Sequence, residues 1–209
     1  MDAQLKRLSE ECPMFISTVE NAILSAYRKA DDYLVNSQSY GKRRYGYGLL
    51  LTVEPTVDRA VREMNFPGFE VICAPNTSNT AIHLEIHTPY GVFMVVRVSR
   101  SGAVPPKVEY RQRFIDQTFM QEAQLGFELY SPDCIPLYII SHFKAGYKNE
   151  TPDIRIGRLD HLQNGWSCNH PISVFKSEEK THEQIDGAVA VAPKEEISKA
   201  TSIRVKRAQ

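Results

Sequence analysis

The sequence predicts an α+β domain, an antiparallel or mixed β-sheet with its helices packed mainly on one face. Three observations carry this. Apolar residues recur at helical spacing in the first third of the chain. Short β-branched runs separated by turn signals follow. Helical and extended segments do not alternate strictly, as a parallel βαβ fold would require. With 209 residues, 42% of them hydrophobic, the chain has material for one sizeable core. A single domain over residues 1–175, with an N-terminal helical segment over 2–35, is the expectation.

A charged helix is expected over 2–10. Residues 14–35 place Phe15, Val19, Ile23, Tyr27, Ala30 and Leu34 at steps of three and four, a helical stripe whose simplest use is core packing. Pro13 suits a first helical turn. Residues 36–48, NSQSYGKRRYGYG, read as a loop running into a strand around Tyr47–Val53. Thr56 then reads as the N-cap of a short helix that Pro67 and Gly68 end.

Strands are expected at Phe69–Ala74, Ala81–Thr88 and Val92–Ser99, with TPYG turning the last two into a hairpin. The run VFMVVRV is apolar at successive positions, which places it inside the sheet. Pro105 and Pro106 break the chain before a helix over 108–126. Further strands are expected at Leu137–Phe143, Ile154–Leu159 and Ile172–Phe175. From residue 176 onward aromatics vanish, large apolar residues are few and an acidic start gives way to a basic end, so 176–209 reads as a charged, partly mobile tail with an alternative edge strand at Ala188–Ala192.

Composition narrows the function classes. Lys and Arg number 25, as do Asp and Glu, so any polyanion must be held by a local patch and not by bulk charge. The four cysteines, Cys12, Cys73, Cys134 and Cys168, are far apart and form no CxxC pair, which suits reduced thiols. The charged N-terminus does not read as a signal peptide, and no apolar run approaches membrane-spanning length, so a cytoplasmic protein is expected. GKRRYGYG lacks the phosphate-loop pattern, and no GxSxG elbow or Asp…ExK arrangement occurs.

Two constellations remain. His83, Glu85 and His87 alternate with Leu84 and Ile86, so two imidazoles and a carboxylate share one strand face. That donor set suits zinc or another divalent metal, with His142, Asp160, Cys168, His161 or His170 as possible further ligands. Successive side chains on one face lie roughly 7 Å apart, long for the outer pair. The competing account is a polar strand face in which Glu85 is neutralised by a histidine or by Arg97.

The second constellation is cationic: Arg97, Arg100, Lys107, Arg111 and Arg113, with Lys42, Arg43 and Arg44 in the tyrosine-flanked segment. Arginine's planar fork suits phosphate, and tyrosine rings stack on unpaired bases. The expected function is therefore a cytoplasmic binding or regulatory module without a cofactor, engaging nucleic acid or a protein partner through this patch, its oligomeric state open. The alternatives are a metal-assisted hydrolase built on His83, Glu85 and His87, and a protein-interaction subunit using the first helix and tail. Cys168, two residues from His170, could be a nucleophile only if its thiol were activated.

Overall fold

The structure is a computed structural model that describes residues 2–36, 41–76, 78, 81–125, 135–145 and 150–175. It contains helices α1 (Ala3–Glu11), α2 (Pro13–Asn36), α3 (Gly41–Met64) and α4 (Glu109–Leu125). Six strands form one sheet in sequence order: β1 (Glu70–Pro75), β2 (Ile82–Thr88), β3 (Gly91–Arg97), β4 (Leu137–Phe143), β5 (Asp153–Leu159) and β6 (Trp166–Pro171). A short 3₁₀ helix, Ile172–Phe175, follows. This is an α+β fold on a mixed sheet. Every neighbouring pair is antiparallel except β3 and β4, which α4 joins by a crossover.

Asp2 caps α1 by accepting the Gln4 and Leu5 amides at 2.9 and 3.3 Å. On α2, Phe15, Val19, Ile23, Tyr27 and Ala30 are all buried, as the stripe requires. The expected loop, strand and second helix between 36 and 64 are instead the single helix α3 from Gly41 onward. Pro55 lies inside it, and the Thr56 hydroxyl donates to the Thr52 carbonyl within the helix and caps nothing. Leu49, Val53, Val57 and Val61 repeat at four-residue steps and are buried, and this stripe against α2 outweighs the proline's missing amide.

The hairpin forms with β3 inside the sheet. Its turn needs Gly91: φ there is +152°, and a Cβ would lie 2.6 Å from the Pro136 carbonyl and 2.7 Å from the Tyr138 ring. At the far end, the strand expected at Ile172–Phe175 is the 3₁₀ helix, and the sixth strand lies one element earlier. Gly157 makes room for it, since a Cβ there would meet the Cys168 carbonyl at 2.4 Å. The tail 176–209 and its alternative strand lie outside the described residues. Among the described residues no helix is long and apolar enough to cross a membrane.

The two sheet faces follow from register. Leu84, Ile86, Phe93, Val95, Tyr138, Ile140, Ile154 and Ile156 face α1, α2 and α3 in the larger core. Val92, Met94, Leu137, Ile139 and Leu159 face α4 through Ile115, in a smaller one.

Candidate functional site

Glu85 opposes Met94 across the hairpin, so the odd-numbered residues of β2 lie on the α4 face. There the three polar side chains join. His83 Nε2 is 2.7 Å from Glu85 Oε1, and His87 Nε2 is 2.8 Å from Oε2. A carboxylate only accepts, so each imidazole donates from Nε2. Helix α4 roofs the group. The Tyr110 ring stacks on His83 with centroids 3.8 Å apart, and Phe114 meets His87 edge-on at 6.3 Å. Glu85 is 6% exposed. Two charge-assisted hydrogen bonds thus replace the water it loses.

This geometry differs from a metal centre. Both Nε2 atoms and both carboxylate oxygens are engaged with one another. Among the described residues no three His, Cys, Asp or Glu side chains are placed to hold a metal ion. The further ligands considered from sequence do not converge on the trio either. His142 and His170 lie on the opposite face by register, and His161 stacks on Phe119 at the β5–β6 turn, beside Asp160. Cys168 lies nearer Asp2 and Arg158, and burial pushes its thiol up, away from the nucleophilic thiolate. Arg97, expected as a partner for Glu85, points to the other face because Met94, three residues earlier, is the one opposite Glu85.

On that other face His142 is 3% exposed, and its Nδ1 is 2.9 Å from the Tyr27 hydroxyl. Burial first, then nearby Arg97, pushes it down to about 3, so it is neutral at ordinary pH. Burial pushes Tyr27 up to about 12. Glu54 of α3 accepts the Leu84 amide, and burial holds its carboxyl above the usual range despite that bond.

The eight cations expected to meet phosphate have different fates. Lys42, Arg43 and Arg44 sit in the first turn of α3, with side chains outside the described residues. Arg97, Arg100 and Lys107 are exposed, from the end of β3 to the threshold of α4. Arg113 is exposed but lies 3.3 Å from Glu109. Arg111 is buried, 2% exposed, so it does not face solvent phosphate: it lies one helical turn before Ile115 on the sheet-facing side of α4. Its Nη2 donates to the Pro106 carbonyl at 2.5 Å, and burial lowers its pKa.

Sequence reading missed the roles of Tyr110, Phe114 and Glu54. Tyr110 and Phe114 are four residues apart and so share a face of α4, but nothing local said that histidines would lie beneath it. No protein-family model, curated protein or solved structure matches this chain.

Proposed function

We propose that the chain is a cytoplasmic binding module for a phosphate-bearing partner, nucleic acid in the first instance, held at the carboxyl end of β3. One observation carries this reading. Arg97, Arg100 and Lys107 are exposed, have no acidic partner among the described residues and follow one another along the single stretch from the end of β3 to the start of α4, whereas the other exposed cations without an acidic partner, Arg28, Lys29 and Arg59, lie on α2 and α3, and Lys6, Arg7, Arg62, Arg113, Lys144, Arg155 and Arg158 each have an acid within 4.0 Å. Unpaired surface cations are the ones free to displace counterions from a phosphate backbone. Their place supports the reading. Among the described strands β3 and β4 are the one parallel pair, and ligands of open sheets gather beyond the carboxyl ends of such strands.

The metal-hydrolase alternative is weakened by the same geometry, because the groups it needs are spent on each other. The test is binding of a 20-base-pair duplex measured against salt. The logarithm of affinity should fall linearly with the logarithm of salt concentration. An Arg97→Ala, Arg100→Ala, Lys107→Ala variant should have a slope shallower by roughly 2–3, at about 0.9 per lost phosphate contact. A triple variant with the wild-type slope, or no duplex binding by the wild type at low salt, overturns the reading.

A further inference from the structure

We propose that the Arg111 guanidinium and the Ser141 hydroxyl form an internal site for one small tetrahedral oxyanion between the first turn of α4 and the sheet. This site is separate from the surface cations and does not rest on their role.

Arg111 holds a charge it cannot shed, because a guanidinium stays protonated throughout the range in which proteins fold. It is 2% exposed, and no acid lies within ion-pair distance among the described residues. Nη2 donates to the Pro106 carbonyl, and the guanidinium also interacts with the neighbouring Tyr110 hydroxyl. Nε and Nη1 are buried and have no hydrogen-bond partner among the described residues. Burying a cation with most of its donors idle is strongly unfavourable, far more so than leaving a hydroxyl unpaired.

Two more idle polar atoms lie on the same sheet face. Ser141 is 1% exposed, and neither its Oγ nor His83 Nδ1 has a partner among the described residues. Ser141 is opposite Val96 and follows Ile139, so it faces α4. The direction of α4 brings Arg111 toward it. Near its middle the helix bonds to the residue pair before β4, with the Thr118 hydroxyl donating to the Ile135 carbonyl at 3.2 Å. Its first turn reaches the histidine row instead, where Tyr110 stacks on His83, and the Arg111 Cζ lies 5.8 Å from the Tyr110 ring centre. The helix therefore runs antiparallel to β4, and Arg111 lies toward the carboxyl end of β4, where Ser141 sits.

The same turn has the electrostatic bias an anion prefers. The amino end of a 17-residue helix carries partial positive charge, and Glu109, the acid in that turn, is exposed and occupied by Arg113. In the proposed site guanidinium N–H groups from α4 and a hydroxyl from β4 would donate from two elements, so the occupant needs several separate acceptor atoms. A tetrahedral oxyanion has them and a halide does not. The burial of Arg111 favours a free ion over the phosphodiester of a polymer.

Inorganic phosphate is the probe, titrated into the full chain by calorimetry and in thermal unfolding, with ionic strength held constant by chloride. The expected stoichiometry is near one. The unfolding midpoint should rise by roughly 5–10 °C at a hundredfold excess over the dissociation constant. Arg111→Met should remove this response. Ser141→Ala should weaken binding by about tenfold, the loss of one hydrogen bond to a charged group. An identical wild-type midpoint in phosphate and chloride, or an undiminished response in Arg111→Met, overturns the site. If Arg111→Met does not fold, Ser141→Ala decides, and unchanged affinity there is equally fatal. The surface triple variant should keep the full phosphate response. Loss of the response in that variant would move the ion to the surface and disprove an internal site.

Discussion

The two faces of one sheet, separated by the thickness of a strand, solve burial differently. Beneath α1, α2 and α3 the strands present Leu84, Ile86, Phe93, Val95, Tyr138 and Ile140, an almost unbroken apolar layer. Beneath α4, neighbouring positions on the same strands present His83, Glu85, His87 and Ser141 among Val92, Met94 and Ile139. A face that only had to be stable would not carry these groups, since apolar residues of similar volume serve at least as well as a buried charged network. The difference sets an apolar face that holds the fold against one that buries a hydrogen-bonded polar group as well.

Two adjacent residues of β3 test that division most severely. Phe93 is fully buried on the first face, 5.3 Å from the Phe15 ring and 5.1 Å from Tyr138. Phe93→Ala should cost about 3–5 kcal/mol in urea unfolding. Met94, 2% exposed, faces the smaller α4 core, and Met94→Ala should cost about 2 kcal/mol, the low end for a buried methionine. Equal losses, or a larger loss at Met94, would break the comparison.

The first face also buries a histidine, and it should be visible as pH dependence. His142 is held at about 3 in the fold, against about 6.5 in an unfolded chain. Between those values the unfolded chain binds the proton and the folded chain does not. Stability is therefore intact above pH 6.5 and falls as pH drops through the window toward 3, by about 1.4 kcal/mol per pH unit. Between pH 7 and 4.5 the contribution is about 2–3 kcal/mol. His142→Gln, which keeps a polar partner for the Tyr27 hydroxyl, should lose that much less stability over the same interval. Parallel pH profiles for the two proteins would show that the histidine is not the source.

Much of this arrangement was legible in the sequence, and the illegible parts share a cause. Strict alternation from His83 to His87 fixed which side chains share a face, and the apolar run from Val92 to Val96 placed β3 in the interior, because both are strand-local patterns. The stripe on α2 was readable for the same reason. α3 was not: glycines, tyrosines and Pro55 are local breaking signals, and the force that overrides them is packing of Leu49, Val53, Val57 and Val61 on α2, a tertiary contact that no local pattern shows. β6 was hidden likewise, since its ladder depends on Gly157 across the sheet. Arg111 is intermediate. Its phase with Ile115 and Thr118 marks it as inward-facing, but a cluster of five cations reads first as a wet surface. The roof of Tyr110 over His83 joins segments that no spacing rule connects.

The smallest of the expected effects bears most directly on why the second face is polar. In Glu85→Leu both imidazoles lose the acceptor that organises them, His83 in a buried place beneath Tyr110 and His87 in a partly exposed one beside Phe114. A loss of about 2 kcal/mol is expected, the cost of leaving buried donors unpaired. Replacing all three residues, His83→Leu with Glu85→Leu and His87→Val, removes the unpaired donors along with the acceptor and should restore wild-type stability or exceed it. Chemical denaturation of the single and triple variants separates the outcomes. A triple variant less stable than the single one would mean that the imidazoles contribute to the fold through their stacking with α4, and the two faces would then differ in composition but not in purpose. Recovery in the triple variant would instead leave the histidine–glutamate seam without a stabilising role, and its retention would have to be explained by what binds beside it.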